Sequence, residues 1–369
     1  MANRFWVGGT ENWNATAGSK WALTSGGAGG EAVPTSSDNV FFDAASGANT
    51  IAVAANVFAL SINFTGFTGA FAGFFDIFIH GSLTLVSAMT FAYAGSLNFS
   101  NTSSTAILTT AGKTIRANFT GVGGTIQLAD DLTFSIGNGF NLTGGTFNAN
   151  EKNVTAASLS SNGSNVRTIN MGSGTWTLTG QNSVSISGTN LTLNADTSTL
   201  VIQGNLTADR TFNFGSKTYN NVWFSNASSF YRTITGSNTF NDFKLSPGLK
   251  IRFTAGTTQT VTTFTAVGTP GNLITIDSDT TGTHTLSKAN GIVNSDYLNI
   301  QHSIATGGAI WMAGANSINN QNIAIAGSGW MWWSNQTKNA SSFSNQSKNI
   351  NTFTTLIKNT PAWTNLNKI

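Results

Sequence analysis

The sequence predicts an all-β protein, an elongated parallel β-solenoid (β-helix) with an N-terminal aromatic cap and an extended C-terminal decapeptide-repeat tail. Three observations lead there. Short alternating strand segments follow one another from about residue 49 to residue 325, with Gly, Asn or Asp clusters between them. Polarity is supplied by Thr, Ser, Asn and Gly, since only 8% of residues are charged, where average globular chains carry about 25%. And the chain closes on a ten-residue repeat. Hydrophobic residues at 40% and aromatics at 11% argue against disorder, in which aromatics are scarce.

Residues 1–48 form the predicted capping region. They hold Trp6, Trp13 and Trp21, a SGGAGG loop, Pro34 and the alternating DNVFFD stretch from Asp38 to Asp43, which reads as a strand. Aromatic side chains placed here would close the open end of a sheet stack, whose backbone is otherwise unpaired. The opening MANRFWVGGTENW carries one basic residue and no apolar core, so it does not read as a secretory signal.

Residues 49–329 are the predicted solenoid. SLTLV, TIQLA, LTFSI, TWTLT, LTLNA, LVIQG, KIRFT, LITID and DYLNI all alternate and favour β-branched residues. No stretch has helical periodicity with caps. A β-sandwich holds about seven to nine strands in about 100 residues and then stops, whereas this pattern continues without a linker. Coils of three short strands with Gly, Asn and Ser corners fit best, and packed sandwich modules are the competing architecture. The Phe-rich FAGFFDIFIHG stretch, Phe71 to Gly81, is too short and interrupted to span a bilayer.

Residues 330–369 are the Trp cluster and tail. Trp333, Phe343, Phe353 and Trp363 recur every ten residues, each followed by Ser or Thr, and Lys338, Lys348, Lys358 and Lys368 trail them by five. On a helix ten residues turn about 1000°, roughly 80° short of three turns, so the aromatics would wander. An extended chain has a side-chain period of two, so an even repeat returns each type to one face and the odd offset puts lysines opposite. The formal charge of +3 belongs to this tail, because no Asp or Glu follows Asp296. With no dense basic patch, nucleic acid is not an expected partner.

Both ends resemble a known group. RFWVGGTENWN…SGGAGGEAVPTSSDNVFFD is similar to the opening cap of β-helical proteins of bacteriophage virions and bacterial surfaces. Thr218 to Ser317 is similar to their later coils, and the WSNQTKN/FSNQSKN repeat resembles phage structural proteins. The resemblance implies a virion or cell-surface β-helix of tail-fibre, tail-tip or head-fibre type, and it carries over no catalytic residues.

Chemistry is sparse in the residues themselves. Glycosidases need two carboxyl groups roughly 5–10 Å apart, yet Glu11, Glu31 and Glu151 are scattered. Asp130 and Asp131 are adjacent, so in a strand they point to opposite faces. Asp277 and Asp279 share a face near His284 and form the better candidate for acid chemistry or a Ca²⁺ site, against a plain strand-end turn. His80, His284 and His302 are too far apart for a metal motif, and each reads as a lone polar residue. There is no Cys, and no nucleophile elbow or phosphate loop in its required context. No cofactor or metal is expected.

The sharpest local signal is GWMWWSN, where three Trp fall within four residues. It reads as a sugar-stacking platform or as a cover for the last coil and glue between subunits. The expected binding residues are Trp330, Trp332, Trp333, Phe343, Phe353 and Trp363. The function expected is a non-enzymatic structural or adhesive virion protein, with a bacterial surface adhesin and a polysaccharide depolymerase as alternatives. Expected partners are other copies of the chain in a homotrimer, since weakly charged flanks associate readily, other virion proteins, and a host-surface glycan, without membrane insertion.

Overall fold

The computed structural model describes residues 1–332 apart from 15, 17, 188, 322 and 324. The tail repeat, with Trp333, Phe343, Phe353 and Trp363, lies outside the described residues. The described chain winds into a parallel β-solenoid of about 14 turns. Sequential pairing of parallel strands excludes sandwich modules, which are antiparallel. No helix among the described residues is long and apolar enough to cross a membrane.

Three faces run along the stack. The first is a ten-stranded sheet whose coil-by-coil strands run from Asn3–Trp6 to Leu191–Asn194. The second begins as four strands ending at Thr90–Tyr93 and resumes in a ten-stranded sheet from Thr114–Ile115. That sheet turns a corner within its long strands, so its last two members, His284–Ser287 and Ser303–Thr306, follow the front residues Thr258–Thr260 and not the second-face column. The third comprises four strands ending at Ala117–Phe119 and then nine, from Phe140–Asn141 to Ile318–Asn319.

The alternation legible in the sequence decides which side chains enter. In the coil of Gly145–Asn148, Val154–Ala156 and Leu159–Ser161, the side chains of Phe147, Val154, Ala156 and Leu159 are buried while Thr146, Asn148, Thr155 and Ser160 face outward. Stacking repeats this coil after coil, so inward aromatics meet face to face. Phe42 and Phe64 stack with centroids 4.7 Å apart, and Phe99 and Phe119 at 5.6 Å. Each such burial stabilises by about 1.5–3 kcal/mol.

At the first coil Trp6, Trp13 and Trp21 are fully buried, with Trp21 edge-on to Trp6 at 5.1 Å and to Trp13 at 5.4 Å. Trp21–Ala22 pairs antiparallel along the outer side of Asn3–Trp6, so that strand is not left as a free edge.

The expectation of three short strands in every coil needs correction. Thr218–Phe224, Thr239–Leu245 and Thr258–Ala266 each run unbroken where two strands were expected. Their alternation slips once, at Asn220–Asn221, Asn241–Asp242 and Thr262–Thr263, where neither neighbour is buried. The slip bends the strand around a corner without a turn, so these coils lack a separate first-face strand.

The corner between the second and third faces is drawn tight by glycine. A Cβ on Gly204 would stand 1.9 Å from the Gly180 carbonyl oxygen. Gly204→Ala is therefore expected to destabilise the fold by about 1–3 kcal/mol, as overpacking does. Chemical denaturation checks this, and an alanine variant as stable as the parent would contradict the close approach.

Candidate functional site

The Trp cluster sits on the last coil. Trp330–Trp332 adds to Ile310–Ala313 in parallel, with Trp311 against Trp330 and Ala313 against Trp332. Trp330 is only 2% exposed and packs edge-on to Trp311 at 5.3 Å, which in turn lies 5.6 Å from Phe264. The Trp330 indole N–H donates to Ser303 Oγ at 3.2 Å. Placement of Trp330 in a stacking platform is thus corrected: its inward register makes it core. Trp332 is half-buried against the same core, and Met331 between them is exposed. The remaining expected binding residues, Trp333, Phe343, Phe353 and Trp363, fall outside the described residues.

The candidate carboxylates are all engaged in fastening one coil to another. Asp130 reaches down to accept from Thr110 N at 2.7 Å and Ala111 N at 2.6 Å, while Asp131 reaches up to Asn153 N at 2.9 Å. Asp279 likewise takes Ala255 N below at 2.9 Å, and Asp277 holds His302 Nδ1 above at 2.9 Å. The pair Asp277 and Asp279, expected to share a face, is therefore turned to opposite neighbours and encloses no common ligand. Asp296 clasps Asn316 through N at 3.0 Å and Nδ2 at 2.8 Å. Burial pushes its pKa up, but donors from Asn316, Tyr297 and Ser317 outweigh this and hold the carboxyl below its ordinary value.

Two of the histidines do not stand alone, contrary to the sequence expectation. His284 and His302 lie in successive coils and meet through Ser278, whose Oγ is 2.9 Å from His284 Nδ1 and donates to the His302 carbonyl at 3.1 Å. A hydroxyl has one proton, and a carbonyl can only accept it. Ser278 Oγ thus lies within reach of two acceptors, and the buried His284 Nε2 has no partner among the described residues. Asp277 meanwhile addresses His302, not His284. The grouping resembles a nucleophile, base and acid in composition only: the carboxylate holds one imidazole and the serine contacts the other, so no single ring links them.

What the surface does offer is a furrow along the corner between the second and third faces. One depression of about 920 Å³ is lined by Thr133, Ser135, Thr155, Thr179, Gln181 and Gln203, with the fully exposed Ile136 at its rim. A second of about 660 Å³ is lined by Ser228, Ser229, Asn272, Thr275, Asn299 and Lys250. Asn205 lines both, so they follow each other along the stack. Neither is lined by Asp or Glu. The furrow exists because corner loops lengthen and shorten from coil to coil, from Ala157–Ser158 to the longer 203–209 segment. On the neighbouring third-face strands, Tyr231 carries the Arg252 guanidinium 3.4 Å above its ring, and Arg252 pairs with Asp209 at 3.2 Å. Sequence reading missed the furrow because its residues come from coils about two dozen positions apart. Its only trace was the run of Gln and Asn in corners.

No family model, curated protein or solved structure matches the chain.

His284 gives the grouping a measurable signature. Burial first, and the neighbouring His302 second, press its pKa from 6.5 down to about 3. Below pH 6.5 the unfolded chain takes up a proton that the fold refuses. His284 therefore leaves stability unchanged above that pH and erodes it as the pH falls towards 3, by about 1.4 kcal/mol per pH unit at most. His284→Gln is expected to flatten this limb in denaturant titrations between about pH 4 and 6. An unaltered slope would contradict a neutral, buried ring.

Proposed function

We propose that the chain is a non-enzymatic structural and adhesive component of a bacteriophage virion, a fibre or tail part, which holds a host-surface glycan along its corner furrow. The observation that carries this reading is the chemistry of the furrow: hydroxyl and amide groups in series, with no carboxylate among its lining residues. Neutral sugars present hydroxyl groups that such side chains bind in both directions, as donor and as acceptor. Cleavage of a glycosidic bond asks for a carboxylic acid and a carboxylate flanking one bond, and the carboxylates weighed for that role are spent on coil-to-coil bonds. The likeness of both ends to virion β-helices supports the setting. The tail aromatics Phe343, Phe353 and Trp363 are the further docking elements in this reading, repeated so that weak contacts add through effective concentration. Association into a homotrimer is part of the same proposal.

The test uses the full chain on an array of neutral and acidic oligosaccharides, with release of reducing ends followed in parallel. Binding of neutral oligosaccharides, lost when Thr155→Trp fills the furrow and unaccompanied by new reducing ends, is the expected result. Release of reducing ends that stops in Asp277→Ala would overturn it, as would glycan binding indifferent to Thr155→Trp. Virions labelled with antibody against residues 334–369 should show the epitope on a fibre or tail, and unlabelled virions would remove the setting.

A further inference from the structure

A triplet of hydroxyl, apolar and amide residues climbs the first face in register. Thr125-Ile126-Gln127, Thr146-Phe147-Asn148, Thr168-Ile169-Asn170 and Thr192-Leu193-Asn194 stack one on the next. Their outer amides form a hydrogen-bonded ladder, Asn148 to Gln127 at 3.3 Å and Asn194 to Asn170 at 2.7 Å. There the ladder stops. Leu191–Asn194 is the outermost strand of its sheet, paired with Arg167–Asn170 below and with no strand hydrogen-bonded to it above.

The triplet itself goes on in the sequence, as Thr218-Tyr219-Asn220 and Thr239-Phe240-Asn241. These are the front parts of the long strands, however, and pair with each other and not with Leu191–Asn194. Between the open edge and the displaced triplets lies a cavity of about 520 Å³, lined by Leu193 and Asn194 on one side and Thr218, Tyr219, Thr239 and Asn241 on the other.

The backbone at this edge is set for another strand. In a parallel ladder alternate residues turn their N–H and C=O to the same neighbour. Arg167 N donates to the Asn190 carbonyl and Met171 N to the Asn194 carbonyl, so Asn190, Thr192 and Asn194 face down. Leu191 and Leu193 then face the open side. Lys217 Nζ takes the Leu191 carbonyl at 2.8 Å, which leaves Leu193 with both main-chain groups towards the cavity. Natural edges are usually blunted by charge, proline or a bulge. This one is recessed instead, with a single lysine at one end.

We propose that the open edge at Leu193 and the cavity over it form a β-augmentation site that receives an extended peptide strand of a partner polypeptide. The guest carries a hydroxyl, an apolar and an amide side chain at successive positions. Its main chain pairs with Leu193 about 4.8 Å above Leu191–Asn194. Its apolar residue covers half-buried Leu193, and its outer pair extends the ladders of Thr192 and Asn194. Asp196 at the cavity wall disfavours an acidic guest. The site lies on a different face from the corner furrow and does not depend on glycan binding.

The probe is a fluorescein-labelled synthetic peptide, Gly-Gly-Thr-Phe-Asn-Ala-Asn, which copies residues 144–150 and so already stacks in this ladder two coils below. Fluorescence anisotropy with the full chain should show saturable binding. Leu193→Pro removes the free N–H without touching the bonds to Arg167–Asn170, and should weaken binding at least about tenfold, a loss on the scale of one or two main-chain hydrogen bonds. Asn241→Trp fills the cavity from its exposed rim, far from the strand, and should do the same with an unchanged melting temperature. A peptide with Asp in place of Phe should not bind. The proposal is overturned if the parent chain binds no peptide, or if both variants bind as the parent does. It is also overturned if Leu193→Pro lowers the mass of the unliganded protein in light scattering, because the occupant is then a second copy of this chain.

Discussion

Parallel strands in register set every residue about 4.8 Å from its counterpart in the next coil, and most of this molecule follows from that repetition. A charge placed on a strand face would meet its own kind above and below, which destabilises a ladder. Neutral hydrogen-bonding side chains gain from the same proximity, as Asn194 does on Asn170 and Asn118 on Asn98 at 3.0 Å. A composition with 8% charged residues and abundant Thr and Asn is the outcome. Aromatics profit likewise, inside at Phe42 and Phe64 and outside at Phe58 and Phe78, stacked 5.1 Å apart. Most carboxylates that remain sit at corners, where a single one can accept N–H groups that the adjacent coil leaves unpaired, as Asp130 does for Thr110 and Ala111.

Charges that do enter the stack show the same constraint from the other side. Arg167 is fully buried without a carboxylate partner. Carbonyls of Asn165, Gly163 and Thr189 at 2.8–3.0 Å surround its guanidinium, which closes the corner before the strand it opens. Arg232 is buried too, donates to the Gly204 carbonyl at 3.1 Å, and has its pKa pulled down to about 10 by burial. Arg167 is tolerated because its corner offers several carbonyls from successive coils to one side chain, whereas Arg232 keeps Nε and Nη1 without a hydrogen-bond partner among the described residues.

The ladder also explains what the sequence could reveal. Period-two alternation in TIQLA, TWTLT and LVIQG decides each strand and its inward face, because a one-residue slip would expose the whole apolar set. DNVFFD becomes the strand Asn39–Phe41 for the same reason. Coil length is not written in the same way, since corners vary in length and no fixed period results. Asp277 and His302 touch although 25 positions apart, and only the winding brings them together. The merging of strands at Asn220–Asn221 was hidden because two outward residues in succession look like a turn. Trp330, Met331 and Trp332 looked like one surface cluster, but alternation sends the first inward and the second outward. The corner furrow and the open edge at Leu193 depend on how neighbouring coils differ, which a single strand does not encode.

Backbone hydrogen exchange across residues 1–332 tests the in-register ladder most directly. An uninterrupted stack predicts slow exchange in paired strands of all three faces, continuing from the first coils through Ser303–Thr306. At the step it predicts that Leu193 exchanges far faster than Thr192 and Asn194, whose N–H groups point down to Arg167–Asn170. Protection confined to separate blocks, with unprotected chain between about residues 50 and 215, would contradict a continuous solenoid. Equal protection of Leu193 and its neighbours would contradict the open edge.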